Sequence, residues 1–298
     1  MPISLRIGEE DMARNRASSM QAGLGEVVAP SLQAFEKELH KAHAKREFQE
    51  RLVSLFSPLL LLVIWEVLAR VGILDMRFFS APSIIARFFW NMILSGELLN
   101  HVNASLMRIG IGFVMGSVPG VMLGIIMGLS RIVRAGLNPM VAATYPIPKI
   151  AILPLILLIF GLGEQSKYVI VAIGTFYFAL INTMAGVMNI DKIYLDVGKN
   201  FGASRINIWR TVALPGALPM IFAGIKLGWG VALLLIVAAE FVGAKSGIGF
   251  LIWNSWQVFS IEQMFVGLLV ISTLGFTSFT ILDELEKVVI PWRPATAT

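Results

Sequence analysis

Four ionisable side chains interrupt stretches that otherwise carry almost no charge: Arg108, Lys149, Lys226 and Glu240. Inserting one such group into hydrocarbon costs about 2.5–3.5 kcal/mol, so residues of this kind mark solute pathways, proton relays or internal ion pairs. Lys226 lies deepest. Arg108 stands at the start of one apolar run, and Glu240 near the far end of another. Lys149 is hemmed in by Pro146 and Pro148 before it and Pro154 after it. Lys226, with Arg108, would give a pathway a positive potential that suits an anionic solute. The competing reading pairs Lys226 internally with an acid such as Glu66.

Covalent chemistry has little support. The histidines, His40, His43 and His101, are scattered without zinc-ligand spacing, and cysteine is absent. No nucleophile–base set stands out. A G-x-x-x-x-G-K-[ST] phosphate loop is missing too, so any ATP-derived energy must come from another subunit. The expectation is no catalytic residue, no metal and no cofactor of its own.

A second feature is the polar stretch Asp196–Pro215, DVGKNFGASRINIWRTVALP. It begins with an acid that the N-terminal dipole of a helix would favour. Gly202 provides either a turn or a close approach. Val212 and the Leu214–Pro215 pair close the stretch.

Composition sets the surroundings. Of 298 residues, 56% are hydrophobic and 14% charged, with mean hydropathy +0.77. A soluble domain would carry about 25% charge. The chain therefore reads as an all-α, multi-spanning membrane protein. Its net charge of +5 fits basic residues held on the cytoplasmic side better than a nucleic-acid partner.

Apolar runs predict six spans, at about 52–73, 109–130, 137–162, 168–190, 212–241 and 263–282. Residues 1–51 form a tail with an amphipathic helical pattern from Ser31, and no signal peptide precedes it. Glu66 and Arg70, one turn apart, can pair within the first span. A short amphipathic helix is expected at 84–94. Gly110, Gly112, Gly116, Gly120, Gly124 and Gly128 mark the second span as one that packs closely against a neighbour. Prolines break the third, which requires protein or water to satisfy the freed backbone. Six spans put both termini on one side, and the basic loops 131–134 and 192–210 fall on that side. By the positive-inside rule it is the cytoplasm.

The spacing of Asp196–Pro215 resembles the Glu-Ala-Ala loop of membrane subunits in ATP-binding-cassette importers. Asp196-Val197-Gly198 stands where that pattern has its first three letters; Gly202, Val212 and Leu214-Pro215 match the rest. Pro146–Leu155, Phe160–Lys167, Phe201–Pro219 and Ala238–Ile252 are similar to the nitrate/sulfonate/taurine group of these permeases, and the resemblance spans about 52–293. It implies the type I importer permease fold, with a cytoplasmic coupling helix in the loop 190–211. It also implies cytoplasmic ATPase subunits, a periplasmic or lipid-anchored solute-binding protein, a second permease copy, and the bacterial inner membrane. Asp196, Val197, Gly198, Gly202 and Ala203 would line the ATPase contact, and Leu214 with Pro215 would start the fifth span. The solute would be a small anion such as a sulfonate, taurine or nitrate. An ATP-independent secondary transporter, the alternative, should show inverted repeats with paired broken helices.

Overall fold

The computed structural model describes residues 45–292, with 47, 51 and 55 excepted. The tail and most of its amphipathic pattern therefore lie outside the described residues. Every regular element among the described residues is helical, as the composition predicts. The chain divides into two compact units, residues 1–71 and 72–298. In the first, helix α1 (Phe48–Arg70) is long and apolar enough to cross a membrane. Glu66 accepts a 2.5 Å bond from Arg70 one turn later, an internal pairing that the spacing predicts.

The second unit opens with α2 (Pro82–Leu94), which has proline in its first turn. Then come α3 (Glu97–Leu129), α4 (Arg131–Thr144), α5 (Lys149–Phe160), α6 (Glu164–Met188) and α7 (Lys192–Asn200). A single turn α8 (Arg205–Ile208) runs through a π-helical segment, Trp209–Ala213, into α9 (Leu214–Gly243). α10 (Ile248–Gln257) and α11 (Ile261–Val289) complete it. Among the described residues, five helices could span a bilayer, and a sixth span exists if α4 and α5, bent by 94° at the break, count as one.

Helix α6 is the central post, with α3 on one side and α9 on another. The α3 contact depends on glycine. A Cβ added at Gly112 would meet Val171 Cβ at 2.7 Å, at Gly120 the Phe176 carbonyl at 2.6 Å, and at Gly124 the Leu180 carbonyl at 2.6 Å. Gly116 and Gly128 abut α6 in the same way, whereas Gly110 faces open space. In lipid, where apolar burial drives little association, such close backbone packing is the main attraction. Two apolar clusters flank the seam, one around Ile109, Val171 and Ile236, the other around Ile125, Val187 and Ile221.

Three elements differ from the sequence reading. α3 begins at Glu97 rather than near Ile109, so Arg108 lies inside a helix instead of capping one. The third span starts at Arg131, placing the basic pair Arg131 and Arg134 in the first turn of α4. The segment after the fifth span, for which the sequence reading names no element, contains α10. For α3 and α10 the cause is shared: polar groups are satisfied by distant elements, so helix continues where local polarity argues for a loop. Arg134 is instead satisfied by the Met127 and Gly128 carbonyls at the end of α3.

Candidate functional site

The polar stretch between α6 and α9 is built around α7. The Asp191 side chain accepts from the Ile193 N–H at 3.0 Å and caps the helix. Asp191, not Asp196, is therefore the acid at the N-terminus; Asp196 is mid-helix and pairs with Lys199 at 3.1 Å. The helix stops in a Schellman turn. Ala203 N–H donates to the Gly198 carbonyl at 3.0 Å and Gly202 N–H to Lys199 at 2.9 Å. Gly202 adopts φ +71°, and a Cβ there would meet nothing within 4 Å. Its glycine serves the left-handed turn rather than a close approach within the chain.

Helix α7 leaves Ile193, Tyr194 and Val197 exposed, and Phe201 after it is 87% exposed. Beyond the turn, the π-helical segment runs directly into Leu214 and Pro215. A proline ring clashes with the carbonyl four residues back, and a widened turn relieves that clash. Val212, Leu214 and Pro215 thus join α8 to α9 without a break in helical structure.

Among the four charged residues first noted, Arg108 and Glu240 meet. Arg108 Nη1 donates to Glu240 at 2.7 Å and to the Ser246 carbonyl at 2.5 Å. Its Nε and Nη2 grip both oxygens of Glu164, at 2.5 and 2.8 Å. Glu240 is fully buried and also accepts from Ser105 Oγ and, at 2.8 Å, from the Gly249 N–H. Lys167, 3.6 Å from Glu164, donates to the carbonyls of Leu162, Gly163 and Gly243. The cluster ties α3, α6 and α9 to the turn before α10. A buried pair of this kind is strongly disfavoured once one partner is lost, by about 3–5 kcal/mol.

The same cluster makes α10 possible. Its first N–H groups are satisfied from elsewhere: Gly247 N–H by His101 Nδ1 at 3.1 Å, Ile248 N–H by Ser105 Oγ at 2.8 Å, Gly249 N–H by Glu240. Gly247 has φ +122°, and a side chain there would collide with the Glu240 carboxyl group. Sequence reasoning missed Glu164, Lys167, Ser105 and His101. The only signal was the polar turn 161–167, too short to reveal its partner.

Lys226 pairs with Asp283 and Glu286 of α11, so its acids lie on the last helix and not at Glu66. Lys149 Nζ donates to the carbonyls of Thr144 and Tyr145 at 2.9 and 3.0 Å. It also stands 4.2 Å over the Tyr177 ring, whose hydroxyl donates to Thr144 Oγ1 at 2.9 Å. The bend at Pro146 and Pro148 frees backbone carbonyls at the end of α4, and Lys149 returns to satisfy them. Pro148 caps α5 and Pro154 lies within it. No group of three or more metal-ligating side chains is present among the described residues.

A polytopic helical bundle with a bent span and a short amphipathic helix between two long ones is the architecture of an importer permease. The MetNI methionine ABC transporter, in an inward-facing structure, has a chain that aligns with TM-score 0.58 at 20% identity, over 66% of this chain and 97% of that one. The family model for the binding-protein-dependent transport system inner membrane component matches residues 120–290, and the chain belongs to that family. It is 34% identical to an aliphatic sulfonates transport permease protein of Escherichia coli, over 82% of this chain and 93% of that protein. The taurine transport system permease protein of the same organism is 30% identical over 81% and 90%. The chain is accordingly a multi-pass inner-membrane permease of the ATP-binding-cassette importer class.

Proposed function

We propose that this chain is the membrane-spanning subunit of an ATP-driven, binding-protein-dependent importer for a small organic anion of the sulfonate or taurine kind. ATP is hydrolysed by separate cytoplasmic ATPase subunits, a second permease copy completes the pathway, and a periplasmic or lipid-anchored binding protein delivers the solute. Both termini are cytoplasmic in this reading. The solute class comes from the sulfonate and taurine relatives.

One observation carries the coupling role: α7 presents Ile193, Tyr194, Val197 and Phe201 to the outside and is linked by a hydrogen-bonded Schellman turn to the unbroken run of α8, the π-helical segment and α9. A helix so exposed needs a partner, and one so connected can pass that partner's movement to a spanning helix. Asp196, Val197, Gly198, Gly202 and Ala203 form the contact, with Leu214 and Pro215 transmitting it. In the pathway, Arg108 and Lys226 act as braces, since carboxylates already neutralise them. A secondary transporter is disfavoured because only one bent helix pair exists among the described residues, whereas such folds carry paired broken helices.

The test is reconstitution with the ATPase and binding protein. Gly202→Trp should insert into the membrane yet abolish solute-stimulated ATP hydrolysis, while Gly202→Asn, which tolerates the left-handed backbone, should retain most of it. Full stimulation in Gly202→Trp would remove the coupling assignment.

A further inference from the structure

Lys149 differs from Arg108, Lys167 and Lys226. Arg108 meets Glu164 and Glu240, Lys167 meets Glu164, and Lys226 meets Asp283 and Glu286. Lys149 meets two carbonyls and a ring face. Among the described residues, no carboxylate forms an ion pair with it. Carbonyl dipoles and the ring quadrupole hold the ammonium in place, but its full positive charge is left without a counter-charge. In an apolar setting that is the costly arrangement.

The ring beneath this ammonium has a second role. Tyr177 also lines a shallow, largely open hollow of about 250 Å³, with Met115, Gly116, Ala172, Ile173 and Phe176 as its other walls. None of those walls is charged. Tyr177 thus carries the Lys149 ammonium over its ring and also forms part of the hollow's wall, although Lys149 is not itself one of the lining residues.

We propose that Lys149, Tyr177 and this hollow form a subsite for a small organic anion. The anionic head group is held at Lys149, and the apolar body rests on Met115, Ala172 and Ile173. The proposal rests on the import reading and narrows its solute class. An inorganic oxyanion has no apolar body and would use only half the site. A lipid would bring the same kind of head group. However, the volume falls below the roughly 300–1,000 Å³ of sites for drug-sized ligands, which suits a short chain.

The absence of cysteine supplies the assay. Met115 is 51% exposed, so Met115→Cys places a single thiol on the cavity wall. The permease is assembled with its ATPase in discs of zwitterionic lipid, without ATP, and maleimide labelling of the permease is timed. Sodium 1-butanesulfonate at about four times its Kd should slow labelling about fivefold, by mass action. 1-Butanol and nitrate should not match it. Lys149→Gln should abolish the protection and Lys149→Arg should keep it. Equal protection by butanol, protection that survives Lys149→Gln, or a thiol that is unreactive without sulfonate would each overturn the subsite. So would protection conferred by anionic lipid alone. Failure of the import reading would appear instead in ATP-dependent uptake, which this ATP-free measurement does not involve.

Discussion

Arg108 and Glu240 lie 132 residues apart in the chain and meet at 2.7 Å inside it, with Glu240 fully buried. The guanidinium is shared with Glu164 and Ser246, and the carboxylate with Ser105 and Gly249. Removing Arg108 would strand Glu240 in an apolar surrounding, whereas Arg108 keeps Glu164 if Glu240 is removed.

That relationship predicts an asymmetric pair of single variants and a milder double. Arg108→Met should lower stability in detergent by about 3–5 kcal/mol, because it leaves Glu240 buried and unpaired. Glu240→Gln should cost less, since Glu164 still faces Arg108. Arg108→Met combined with Glu240→Leu should recover much of the loss. Denaturant unfolding of the three proteins checks the order. A double variant no better than Arg108→Met alone would show that the cluster acts through more than charge.

The glycine seam predicts damage that scales with size. Gly120→Ala should weaken the α3–α6 contact, and Gly120→Leu should prevent it, because the Phe176 carbonyl and Ala179 stand in the way. Gly110→Leu, in open space on the same helix, is the matched control. Thermal stability of purified protein reads the difference, and equal losses at both positions would mean that the seam does not hold the helices.

Lys226 predicts a rescue. Lys226→Met leaves Asp283 and Glu286 facing each other without their cation, at a cost of about 1.5–3 kcal/mol for lost charged hydrogen bonds. Adding Asp283→Asn and Glu286→Gln should restore stability and uptake together. If stability returns but uptake does not, Lys226 has a role in the pathway beyond bracing.

The long spans were legible because uncharged runs such as 109–130 can be nothing else. The break in the third span was legible from Pro146 and Pro148. What escaped was whatever depended on partners far away in sequence. Arg108 looked like a helix end because Glu164 and Glu240 could not be seen beside it. α10 went unnoticed because the groups that satisfy its first N–H donors come from α3 and α9. In the polar stretch, spacing identified Gly202 and Leu214–Pro215, but the cap fell on Asp191, outside the matched pattern. Motif spacing locates a segment, whereas the helix boundary follows the side chain that reaches its N–H groups.

The buried cluster has an electrical consequence. Arg108 and Lys167 carry two positive charges, and Glu164 and Glu240 carry two negative ones when ionised, so the group as a whole is neutral. Moving one elementary charge through 100 mV involves about 2.3 kcal/mol, but displacing a neutral cluster as a body involves almost none. Helices tied together in this way can shift within an energised membrane without working against its potential. Lys149, with no acid paired to it among the described residues, has no such immunity until a bound anion neutralises it.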